Sequence, residues 1–92
     1  MDKNKVYDLT MEFFDTYKNA QRKSVELTAK SLLCADALKH SKSKTEDEEI
    51  GKEYRSIKQQ MESNEEFKKH ITVKFIESVE KVEVKHAPSS DK

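Results

Sequence analysis

Between Val6 and Val82 the chain contains one glycine, Gly51, and no proline. Strands and compact loops need such residues as punctuation, so a run this long without them leaves extended helices as the economical fold and excludes an all-β architecture. The apolar and small residues agree. They fall at Val6, Leu9, Phe13, Tyr17, Ala20, Ser24, Leu27, Ser31, Cys34 and Leu38, in steps of three and four that describe one buried face of a helix. This spacing predicts a first helix from about Asn4 to about His40, with Asp2 or Asn4 as its N-cap. The middle of its stripe (Ala20, Ser24 and Ser31) is small and polar, which permits close helix approach but thins the core.

The segment His40–Thr45 reads HSKSKT and is followed by Glu46, Asp47, Glu48 and Glu49. Ser43 with Glu46, and Thr45 with Glu48, both have capping-box spacing, and the carboxylates sit where helical amides carry partial positive charge. A second helix therefore starts here. Its stripe runs through Ile50, Tyr54, Ile57 and Met61, a polar interval at Asn64 and Lys68, then Ile71, Phe75, Ser78 and Val82. Ser63 with Glu66 repeats the capping pattern, so the helix either runs on or breaks near Ser63. Ile71, Val73 and Phe75 alternate as a strand would, but a lone strand has no partner for its hydrogen bonds, and helix is the expectation. Residues 1–86 are expected to form a single helical domain, followed by a disordered polar tail, 87–92.

Charge supports an antiparallel hairpin. Residues 1–17, 18–44, 45–66 and 67–92 carry net charges of −2, +5, −5 and +2. Folding back at Ser43 lays each quarter beside one of opposite sign, whereas a parallel pair would lay like on like. Each exposed pair contributes only about 0–1 kcal/mol, so the layout speaks for orientation more than for stability. Glu26 with Lys30, Glu48 with Lys52, Glu65 with Lys69 and Glu77 with Lys81 add the favourable helical order of charges, on faces expected to be solvated.

The formal net charge of zero excludes a strongly basic nucleic-acid binder and an acidic nucleic-acid mimic. No stretch approaches the ~20 apolar residues that span a bilayer and the amino terminus lacks a signal-peptide core, so the expectation is a cytoplasmic chain with no membrane role. Catalytic signatures are missing too. His40, His70 and His86 are far apart, with His70 expected opposite about Thr16; Cys34 has no CxxC partner and reads as a small buried hydrophobe. Glu83 with His86 is a single Glu-x-x-His where a di-iron bundle needs two. Asp8, Glu12 and Asp15 read as surface charge. No enzymatic activity, cofactor or metal is expected.

What remains is an all-α, long antiparallel helical hairpin that assembles as a helical bundle. Only 19 of the 92 residues are Leu, Ile, Val or Phe, a marginal core for a monomer, and a homodimer or higher helical oligomer of coiled-coil type is expected. Met11, Phe14, Leu32 and Leu33 on the first helix, with Phe67, Val73 and Ile76 on the second, lie off the main stripe. Of these, Met11, Phe14, Phe67, Val73 and Ile76 are the candidate surface for a protein partner, the chain acting as an adaptor, chaperone or inhibitor. The alternative is a nucleic-acid-associated regulator with Lys18, Arg22, Lys23 and Lys30 as phosphate contacts.

Overall fold

The computed structural model describes residues 3–86, with side chains through Val82. The polar tail expected over residues 87–92, and Asp2 as a cap, lie outside the described residues. Two helices account for nearly all of the rest: α1, Lys3–Lys39, and α2, Lys44–His86. They pack against each other as a helical hairpin, and there is no strand among the described residues. The segment containing Ile71, Val73 and Phe75 is helical, and Thr72 Oγ1 donates to the Lys68 carbonyl at 2.8 Å. Thr10, Thr16 and Thr28 bond back one turn in the same way, which is how their hydroxyls are satisfied inside a helix. Asn4, expected as an alternative N-cap, lies within α1 itself, one residue past its start.

At the turn, the His40 and Ser41 amides donate to the carbonyls of Ala37 and Leu38, closing the last turn of α1. Ser43 then serves as the N-cap of α2. Its Oγ accepts from the Glu46 amide at 3.1 Å and its carbonyl accepts from the Asp47 amide, so of the two cap positions that the sequence spacing offers, Ser43 and Thr45, the chain uses Ser43. α2 does not break near Ser63. Ser63 is exposed, while Asn64, which a cap there would place in the first turn of a new helix, is buried on the stripe and bonded to α1.

The hairpin comprises two compact units. In the turn unit, Gln21–Glu66, the core is Leu27, Cys34 and Ile57, flanked by Ile50, Tyr54 and Met61. At its polar level, Asn64 Nδ2 donates to Ser24 Oγ at 2.8 Å, and that hydroxyl donates to Glu65 Oε2 at 3.3 Å. Leu38, expected on the stripe, is exposed because the turn of residues 40–43 ends the pair before another helical level can cover it.

The terminal unit pairs α1 through Ala20 with α2 from Phe67. Here Phe13 stacks on Phe75 with centroids 4.5 Å apart, and Tyr17 lies 5.5 Å from Phe13. Lys68 occupies a stripe position yet is buried, with its ammonium 5.7 Å from the centre of the Tyr17 ring. The ring face supplies the electrostatic attraction that an apolar neighbour would not. Ala20 and Val82 complete the buried apolar set.

Two substitutions near the turn test this description. Ser43→Ala should lower unfolding free energy by about 1 kcal/mol in urea titrations, while Thr45→Ala changes it by less than half as much. Gly51→Ala should raise it by about 1 kcal/mol, because an added Cβ would meet only the Arg55 guanidinium at 3.5 Å, an ordinary contact.

Candidate functional site

The terminal unit leaves an apolar face uncovered. Met11, Phe14, Val73 and Ile76 are 42%, 55%, 53% and 49% exposed, although each lies within a turn or so of the Phe13–Phe75 stack. Their placement follows from helix geometry. Phe14 follows Phe13 and Ile76 follows Phe75, so each is turned about 100° from its own stripe in the same sense, while Val73, three residues before Ile76, lies about 60° further round on the outer face of α2. In an antiparallel pair, the same sense of rotation on both helices leads to the same side. Met11 shares the column of Phe14 three residues on, and exposed Tyr7, which follows Val6, extends it.

Phe67 is also exposed, but it precedes its stripe neighbour Lys68 and so lies on the opposite side of the pair. Five residues expected as one surface thus divide into a group of four and a single phenylalanine. The side that carries Phe67 has a shallow open groove of about 260 Å³ with Leu9, Phe13, Ile71 and Phe75 at its floor. Glu12, His70 and Lys74 stand on its rim, each preceding a stripe residue. Thr16 and His70 both line it, as their expected opposition requires. Sequence reasoning missed this groove. Its signal was the set of residues immediately before the stripe, which pairs Glu12 on one helix with Lys74 on the other.

The turn unit offers less. Val25, Leu32 and Leu33 are exposed, all on α1, and among the described residues α2 contributes no exposed large apolar side chain to that unit. Arg22, Lys23 and Lys30 are exposed there, as is Lys18 in the terminal unit. Lys23 and Lys30 share a column, one seven residues after the other, while Arg22 is turned about 100° away from Lys23. The acidic start of α2, Glu46–Glu49, belongs to the same unit. The Glu-before-Lys pairs lie exposed, as expected of solvated faces. His40 Nδ1 lies 3.0 Å from the Asp36 carbonyl and 3.9 Å from its carboxylate, an exposed contact at the end of α1.

Cys34 is buried in the turn-unit core. Loss of solvation, and secondarily the negative charge of Glu53, push its thiol above the ordinary value of 9.0. The thiol form therefore dominates at neutral pH, and the nucleophilic thiolate is suppressed. Among the described residues no three His, Cys, Asp or Glu side chains gather as metal ligands would, and no helix is long and apolar enough to cross a membrane. Glu83 and His86 lie in the last turns of α2, their side chains outside those described.

No protein-family model, curated protein or solved structure matches the chain.

The state of Cys34 is open to measurement. In the folded protein it should react with a thiol reagent at pH 8 at least tenfold more slowly than in urea. Because folding raises its pKa, the associated stability is present below the unfolded thiol pKa and is lost as pH rises through the folded value. Cys34→Ala should accordingly show a flatter decline in stability than the wild type above about pH 9.

Proposed function

We propose that this chain is a non-enzymatic protein-interaction protein, an adaptor, chaperone or inhibitor whose partner docks on the terminal-unit face of Met11, Phe14, Val73 and Ile76. The observation that carries the proposal is that both helices contribute half-exposed apolar side chains to one side of the pair. A face of that kind on a chain with 39% charged residues is set apart from its surroundings, and burying it against a partner is favourable. Phe67 would serve a partner only by contact from the groove side.

The buried positions recur at an average of 3.5 residues along most of both helices, which supports coiled-coil packing and association into a larger helical bundle. A non-catalytic role is supported by the state of Cys34, whose burial and raised pKa leave it a poor nucleophile.

Immobilised protein tests the proposal. A partner retained by the wild type and rebound after purification should bind Phe14→Asp or Ile76→Asp at least tenfold more weakly, the size expected when an interface anchor is lost. Helicity by circular dichroism should be unchanged, and Val25→Asp, in the turn unit, should bind as the wild type does. Equal binding by all four proteins would show that the face is not the docking surface.

A further inference from the structure

We infer that the occupant of this face is a second copy of the chain, seated about a two-fold axis that runs across both helices between Val73 and Ile76 and between Met11 and Phe14. The inference rests on the docking role proposed above and names its partner. It is carried by the charges that border the apolar patch. Lys69 lies seven residues before Ile76 and Glu80 seven after Val73, two helical turns in each case, so both exposed side chains share the face of Val73 and Ile76. The midpoint between Lys69 and Glu80 is also the midpoint between Val73 and Ile76. A two-fold axis through that point reverses α2 against its copy and sets Lys69 of each chain beside Glu80 of the other.

On α1 the same construction repeats. Tyr7 and Lys18, exposed and each one position after a stripe residue, are centred on the same point as Met11 and Phe14. Phe13 stacked on Phe75 puts the two midpoints at one level, so a single axis serves both helices. That axis places the Tyr7 ring by Lys18 of the second copy, an ammonium-on-ring arrangement of the type Lys68 and Tyr17 already make. The apolar groups fall at the centre and the paired charges at the rim, the layout of a self-complementary two-fold interface. Parallel α2 helices in register would set Lys69 on Lys69 and Glu80 on Glu80, so the pattern selects the antiparallel arrangement.

Size-exclusion chromatography with light scattering on the full chain, from micromolar to millimolar concentration, tests this. The wild type should approach twice its 10.7 kDa mass and dissociate more readily as salt is added. Lys69→Glu and Glu80→Lys, each placing like charges together twice, should weaken the dimer about tenfold. The double variant should return to within about threefold of the wild type, and Lys58→Glu, exposed in the turn unit, should change nothing. A wild type that stays monomeric overturns the inference, as does a dimer indifferent to both charge reversals or one the double variant fails to restore. A monomer whose separately purified partner is still lost by Phe14→Asp overturns only the second copy and leaves the docking face standing. A dimer that survives Phe14→Asp overturns the second copy on this face, and the docking face falls with it only where a purified partner also binds Phe14→Asp as it binds the wild type.

Discussion

Each helix of a two-helix hairpin has a single neighbour, so one stripe of each is all that can be withdrawn from water, and the remaining properties of this chain follow from that limit. Among the described residues the buried apolar ones are few (Ala20, Leu27, Cys34, Ile57 and Val82), and no large side chain is completely enclosed. A stripe this narrow holds little reserve. The helix ends therefore matter, and Ser43 contributes a cap at the point where the chain reverses and can least rely on packing.

Among the described residues two buried polar side chains, Asn64 and Lys68, occupy stripe positions on α2, and each is met by α1 within its own unit. Asn64 donates to Ser24, and Lys68 lies by the ring of Tyr17. Neither adds much stability over a well-packed apolar pair, but together with the aromatic stack they discriminate between registers. A slip of one heptad could give Asn64 the hydroxyl of Ser31 in place of that of Ser24, so this hydrogen bond alone does not choose. The same slip would carry Phe75 from Phe13 to Ala20, losing a stacked pair worth about 0.5–1.5 kcal/mol beyond its buried area. With only His40–Ser43 between the helices, it would also have to unwind helix to lengthen the turn.

The stripe and the reversal were legible in the sequence because both are local signals: a period read over one helix, and a serine three residues before a glutamate. Continuity at Ser63 was not. The residues that fit a new cap also fit a helix interior, and the deciding fact, that Asn64 turns inward to Ser24, is tertiary. The division of the candidate surface escaped for a related reason. A linear pattern separates residues on the stripe from those off it, but whether an off-stripe residue precedes or follows its neighbour acquires meaning only once two antiparallel helices define two sides. That distinction sets Phe67 apart from Phe14 and Ile76, and it places Glu12 and Lys74 on opposite walls of one groove.

Charge and exposed apolar surface have complementary parts in this hairpin. The alternation of sign along the chain gives each unit its own pair of opposing segments, so orientation is favoured in each without any one ion pair being strong. Charged residues at 39% then leave few places where apolar side chains from both helices can come together outside the stripe. In the terminal unit they do, because residues after the stripe on α1 and on α2 arrive at the same side. A neighbour on that side would give each helix a second buried stripe, relieving the constraint that keeps the isolated hairpin's core so thin.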